Sequence, residues 1–344
     1  MTTEFSYKRI MVATDFTESS EVALKQAIWL AHRTGASIVL AHVLPARYSP
    51  ATSDSMTPEA GPKMNLLTDL WVNEGSLYEQ LESNARQDAE AKLHKLIEQS
   101  ARSIDVQTRV FVGASFAQII FAVEKERCDL VIAGTRGLSQ WEQFLVGSTA
   151  KQLVRKCPSS VWIVKAEHVG QPRVVLAATD FSEVSLKAAT EGLWLAQLAD
   201  AEFHLLHVVN SKDAPEDSIY RIPMGSSLQQ EINEKSSQRM NAFLDSFQVD
   251  RSNIQVHLAW GTPWKEVRRI AKHQAADLVV IGTVGRSGIQ GLLLGNTAEK
   301  LLDTCDCSIL TVKSDAFVAP IGCEMLLERS RMKKQWMERS GKWH

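Results

Sequence analysis

Apolar residues in the first half of the chain gather in short runs: RIMVAT from Arg9, ASIVLAHVL from Ala36, VQTRVFV from Val106, DLVIAG from Asp129 and SVWIVK from Ser160. Most of these runs have strand length and little polar–apolar alternation. Strands buried on both faces, as in a parallel sheet covered by helices, need that composition. Between them the pattern turns helical, from Ser19, from Asn84 to Ser100 and from Phe116, with a short helix before the last run. The predicted order is βαβαβαβαβ.

The second half repeats the first. RIMVATDFTESSEVALKQAIWLA, beginning at Arg9, aligns without a gap on VVLAATDFSEVSLKAATEGLWLA at an offset of 165, pairing Asp15 with Asp180, Trp29 with Trp194 and His42 with His207. Further on the offset falls to 148, pairing Gly134 with Gly282, Gly147 with Gly295 and Cys157 with Cys305, so the first copy carries 17 extra residues between its second and third strands. A duplication read this early decides the architecture. The expectation is an α/β protein of two doubly wound parallel-sheet, Rossmann-like domains in tandem, over residues 1–166 and 172–313, with a tail at 314–344 outside the repeat.

The extra residues fall near PARYSPATSDSMTPEAGPKMN, whose Pro, Ser and Thr content predicts a long surface loop or a lid. Polar residues with Gly170 and Pro172 mark the boundary between copies. That linker is short, so the copies are expected to pack together as an internal pseudo-dimer, with SSVWIVK and CSILTVK, the last strands, at the interface. A further homodimer of whole chains stays open. The tail, ending MLLERSRMKKQWMERSGKWH, reads as a solvated helix, with an amphipathic docking helix as the alternative.

Charge and composition narrow the partners. The 344 residues carry 38 basic and 40 acidic side chains, a net charge of -2, which argues against a nucleic acid or an anionic membrane as partner. No apolar run approaches the ~20 residues of a membrane span, and no basic-then-apolar leader is seen, so the expected location is the cytoplasm. Cys128, Cys157, Cys305, Cys307 and Cys323 are too sparse for a disulfide framework and read as small buried residues. Cys305 and Cys307 have no neighbouring His or Cys to complete a soft-metal site.

In a doubly wound sheet, ligands bind beyond the carboxyl ends of the strands. The first strand of each copy ends in Thr14-Asp15-Phe16 or Thr179-Asp180-Phe181, followed by Thr17 or Ser182. Those hydroxyl residues are good helix N-caps, so the Asp serves either a site or a cap. After the fourth strand come Gly134, Gly137, Gly147 and Ser148 in one copy, and Gly282, Gly285, Gly295 and Asn296 in the other, a G-x2-G-x9-G spacing. Glycines there let backbone amides approach a phosphate, with a helix N-terminus adding donors. Neither copy has a P-loop or a G-x-G-x-x-G after its first strand.

These motifs, with the five-strand order, resemble the ATP-binding class of the universal stress protein family. LVRKCPSSVWIVK and LGNTAEKLL are most similar to its tandem, universal stress protein E-like branch. The resemblance implies an adenine-nucleotide alpha hydrolase-like fold and a bound adenine nucleotide, ATP in the first instance. It assigns adenosine contacts to Asp15 and Val43, with Thr14 beside them in the nucleotide site, and phosphate contacts to Gly134, Gly137, Gly147, Ser148 and Thr149. In the second copy the matching positions are Thr179, Asp180, Val208, Gly282, Gly285, Gly295, Asn296 and Thr297, where Asn296 replaces a hydroxyl and weakens the expectation.

Glu142 lies between the glycines of the first copy and would repel a triphosphate unless a divalent cation such as Mg intervenes. His42 and His207 read as packed or hydrogen-bonded residues, and Trp29 and Trp194 as core. No catalytic triad or acid pair can be assembled, so the leading expectation is a stress-response sensor or effector rather than an enzyme. Two other readings stand beside it: a scaffold or carrier of another small or apolar ligand, and a slow nucleotide hydrolase using Glu142.

Overall fold

The computed structural model describes residues 6–45, 64–101, 103–135, 146–165, 169–210, 226–247, 251–283, 294–315 and 317, with backbone alone over 64–79 and at 252. The first half runs β1 (Arg9–Thr14), α1 (Glu18–Thr34), β2 (Ser37–Leu44), α2 (Met64–Ser100), β3 (Val106–Val112), α3 (Ser115–Glu126), β4 (Leu130–Gly134), α4 (Ser148–Lys156) and β5 (Ser160–Val164). The second runs β6 (Val174–Thr179), α5 (Glu183–Ala199), β7 (Glu202–Val209), α6 (Ser227–Asp245), β8 (Ile254–Trp260), α7 (Pro263–His273), β9 (Leu278–Gly282), α8 (Asn296–Thr304) and β10 (Ser308–Val312).

All ten strands form one sheet in the order β3-β2-β1-β4-β5-β10-β9-β6-β7-β8. Every neighbouring pair is parallel except β5 with β10, which run antiparallel with Ile163 opposite Ile309. The central strands send alternate residues into two cores. Met11, Val39, Val131 and Ile163 enter one, and Ile10, Ile38, Leu40, Leu130 and Ile132 the other. Two buried faces explain why the strand sequences read as continuous apolar runs.

Helix starts and stops follow local chemistry. The Thr17 side chain accepts from the Ser20 amide and Ser182 from that of Ser185, so α1 and α5 begin one residue beyond each cap. Gly35, at φ 73, closes α1 in the left-handed conformation that glycine adopts without strain.

The 17 extra residues are not mainly loop. Helix α2 has 37 residues and α6 has 19, whereas the intervals preceding them differ by only two residues, so the insertion lengthens a helix. The expected helix at Asn84 begins twenty residues earlier, at Met64. No proline occurs between Lys63 and Ser100, so nothing covalent interrupts it. The predicted loop or lid and the tail largely fall outside the described residues.

The seam between halves has approximate two-fold symmetry. Lys165, at the end of β5, donates from Nζ to the Cys305 carbonyl at the end of α8. Its counterpart Lys313 donates to the carbonyls of Val154, at 2.5 Å, and Arg155, at 3.3 Å, at the end of α4. Each half therefore supplies a buried ammonium to the C-terminus of the other half's last helix, where unpaired carbonyls collect negative partial charge. Ion pairs Lys151–Asp303, at 2.6 Å, and Arg155–Glu299 join α4 to α8. Two further contacts tie the halves: Gln26 on α1 exchanges two hydrogen bonds with the Gly170 backbone of the linker, and Glu191 on α5 accepts from the Tyr7 hydroxyl of the first half.

Candidate functional site

Strand order reverses at β1, with β2 on one side and β4 on the other, which opens the crevice typical of ligand sites in doubly wound sheets. Thr14 pairs with His42, so Asp15 lies one step on, beside Val43. Ala13 pairs with Ala133, so Thr14 lies beside Gly134. The register thus brings Asp15, Val43 and Gly134 to one end of three adjacent strands. The register in the second half does the same for Asp180, Val208 and Gly282.

The turn leaving β1 is tightly organised. Phe16 sits at φ 64 and Phe181 at φ 62, a left-handed backbone that costs a bulky residue roughly 1–2 kcal/mol. Thr14 Oγ1 accepts from the Phe16 amide at 3.1 Å and shares a hydrogen with Ser20 Oγ at 3.0 Å. The His42 Nδ1–H donates to the Thr14 carbonyl at 2.8 Å, and its ring lies 4.4 Å from that of Phe16. Thr179, Phe181, Ser185 and His207 repeat all of these contacts. Both histidines are thus hydrogen-bonded packing residues.

Asp15 divides its two oxygens. Oδ1 accepts from the Thr17 amide at 3.1 Å and the Thr17 hydroxyl at 2.5 Å, holding the N-cap in place. Oδ2 has no partner among the described residues, and the side chain is exposed. Asp180 Oδ1 binds Ser182 in the same manner. The aspartate therefore supports the cap in both halves, and in the first half this leaves its second carboxylate oxygen without a partner among the described residues.

Gly134 has no room for a side chain, because a Cβ there would overlap the Ser19 carbonyl. The Ser19 hydroxyl donates to the Thr135 carbonyl and ties the departing loop to α1. Helix α4 starts at Gly147, with φ -63 and ψ 160, and no side chain caps it. Its first-turn amides stand beside the exposed Ser148 and the half-buried Thr149. Gly295 starts α8 in the same way, ahead of the exposed Asn296 and half-buried Thr297. Gly137, Gly285, Trp141 and Glu142 lie outside the described residues. The Ser19 tie is absent from the sequence expectations; its signal is the serine doublet 19–20, which is Val184-Ser185 in the second copy.

The model of the universal stress protein family matches residues 6–165 and 172–313. The chain belongs to the universal stress protein family. Universal stress protein E of Escherichia coli (strain K12) is 26% identical over 328 residues, covering 92% of this chain and 96% of that protein. Among solved structures, a functionally unknown protein from Pseudomonas aeruginosa PAO1 superposes with a TM-score of 0.62 at 20% identity, covering 90% of this chain and 93% of that one. A universal stress protein from Archaeoglobus fulgidus gives 0.61 at 19% identity, covering 90% and 99%. These likenesses show that the tandem fold is shared. Among the described residues, no helix is long and apolar enough to cross a membrane and no group of three potential ligands could hold a metal ion.

Proposed function

We propose that the chain is a cytoplasmic stress-response protein whose first half binds an adenine nucleotide, ATP or ADP, and reports it through the seam between halves. The observation that carries this reading is the strand register that sets Asp15 and Val43 beside Gly134, with the side-chain-free N-terminus of α4 following the same strand. Asp15 Oδ2 accepts from the nucleoside while Val43 supplies an apolar wall. Gly134, Gly137 and Gly147 give the phosphates close access to backbone amides, and Ser148 and Thr149 add hydroxyl donors. A divalent cation would offset the charge of Glu142 against a triphosphate.

Coupling follows from α4. Its N-terminus meets the phosphates, while its C-terminus is held by Lys313 of the other half and its side chains pair with α8. A ligand that fixes α4 therefore biases the seam. The role is binding and signalling rather than turnover. In the second half Asn296 and Val184 replace Ser148 and Ser19, so Asp180, Gly282 and Gly295 form the weaker site.

Isothermal calorimetry with ATP and ADP tests the reading. Asp15→Ala and Gly137→Val should each weaken binding at least about tenfold, or about 1.4 kcal/mol. Unchanged affinity in both would remove the site. If mass spectrometry of the purified protein finds an apolar ligand and no nucleotide, the carrier reading replaces this one.

A further inference from the structure

The halves differ at two positions in the turn from the last helix into the last strand. Between α4 and β5 the chain reads Cys157-Pro158-Ser159, and between α8 and β10 it reads Cys305-Asp306-Cys307. Cys305 ends α8, and its Sγ lies 3.2 Å from that of Cys307. Lys165 reaches across from the first half and donates to the Cys305 carbonyl, within electrostatic range of both thiols. Asp306, between them, faces Arg268 at 3.9 Å. Cys128 and Cys157 are also buried, but neither has a thiol in contact among the described residues.

We propose that Cys305 and Cys307 are a peroxide-oxidised dithiol that closes to an intramolecular disulfide at the seam between the halves. The Cys307 thiol donates to the Cys305 sulfur, and with the Lys165 charge nearby this holds the Cys305 thiol down at about 7. Burial instead pushes Cys128 and Cys157 up to about 12. The thiolate is the reactive form, so Cys305 leads. Its sulfur attacks one oxygen of hydrogen peroxide, the O–O bond breaks, and the other oxygen leaves with the former thiol proton as water. Cys305 is then a sulfenic acid.

The Cys307 sulfur attacks the Cys305 sulfur, the S–O bond breaks, and the hydroxyl departs as water with the Cys307 proton. Two thiols lose two electrons and peroxide becomes two waters. Closing the bond brings the sulfurs from 3.2 Å to about 2 Å. Cys305 and Cys307 are buried, with 2% and 4% of their surfaces exposed, which favours a small uncharged oxidant such as hydrogen peroxide over a bulky one. The new bond also constrains the Cys305 carbonyl that Lys165 holds, so oxidation acts on the contact between halves.

The test treats the folded full-length protein with hydrogen peroxide, removes the oxidant, unfolds the chain in urea so that every thiol is accessible, alkylates the remaining thiols and analyses tryptic peptides by mass. The peptide Leu301–Lys313 holds both cysteines. It should lose two hydrogens and become resistant to alkylation at least about tenfold faster than Cys128 or Cys157 react, and dithiothreitol added after unfolding should restore both thiols. Cys307→Ser copies the arrangement with which the first half folds, and should turn the reversible product into over-oxidised Cys305. The proposal is overturned if both thiols stay alkylatable while Cys128 or Cys157 oxidises. It is equally overturned if the peptide is found cross-linked to the one carrying Cys323 or to a second chain.

Discussion

In the first half the Ser19 carbonyl lies against Gly134 and its hydroxyl anchors Thr135, whereas in the second half the same place is taken by Val184, whose methyl stands 3.0 Å from the position of a Cβ on Gly282. Thr283 turns instead to the neighbouring strand, bonding the Val312 carbonyl through its hydroxyl at 3.2 Å. The outer edges differ too. Arg86 on the long helix α2 donates to the Val110 carbonyl of β3 at 2.8 Å, while Val256 and Leu258 on β8 remain 45% and 37% exposed. Duplication has kept the turn after the first strand nearly contact for contact and let its supports diverge. The lesson is that a repeated motif does not guarantee a repeated site.

The glycines give the largest separation between halves. Gly134→Ala should lower stability by about 3 kcal/mol or more, because the new carbon meets backbone that cannot step aside, and Gly282→Ala by about 1 kcal/mol, because a valine rotamer can yield. Thermal denaturation of the two variants measures this, and equal losses would show that the first loop is no more tightly set than the second.

The next effect concerns Gln26 and Glu191, equivalent positions on α1 and α5, of which Gln26 holds the linker at Gly170 and Glu191 reaches Tyr7 of the other half. Burial holds the Glu191 carboxyl well above its ordinary value of 4.5. The fold keeps a proton that the unfolded chain releases above that pH, so the associated stability is complete below 4.5 and is lost as pH rises toward the folded-state value. Glu191→Gln carries no such proton and restores the chemistry of Gln26. Its melting temperature should exceed that of the parent by a margin that widens as pH rises above 4.5; a constant margin would mean the carboxyl does not titrate in this way.

The smallest effect lies where the halves agree. Thr17→Ala and Ser182→Ala each remove an N-cap held by an aspartate, and each should cost about 1 kcal/mol. Unfolding midpoints that differ widely between the two would break the equivalence of the turns.

Much of this is legible in the sequence. The offset of 165 and the apolar runs disclose two parallel-sheet units, and Thr-Asp-Phe followed by Thr or Ser discloses the capped turns. Both depend on local pattern, which the chain displays directly. The extent of α2 escapes that reading because Pro and Ser in the preceding stretch suggest loop, although the helix continues where no proline intervenes. Ser19 against Gly134, Tyr7 against Glu191 and Lys165 against Cys305 leave no readable mark, since each joins residues more than a hundred positions apart.

By itself the sequence determined the duplication, the strand and helix periods and the turn chemistry, because those rest on interactions between neighbours along the chain. The sequence also placed the last strands at the interface; only the tertiary structure decided that they pair edge to edge and antiparallel into one sheet, that buried lysines cross to the opposite helix ends, and which glycine is hemmed in by backbone. Those outcomes depend on what burial brings together, and a desolvated ammonium or carboxyl takes its properties from the groups packed around it rather than from its neighbours in the chain.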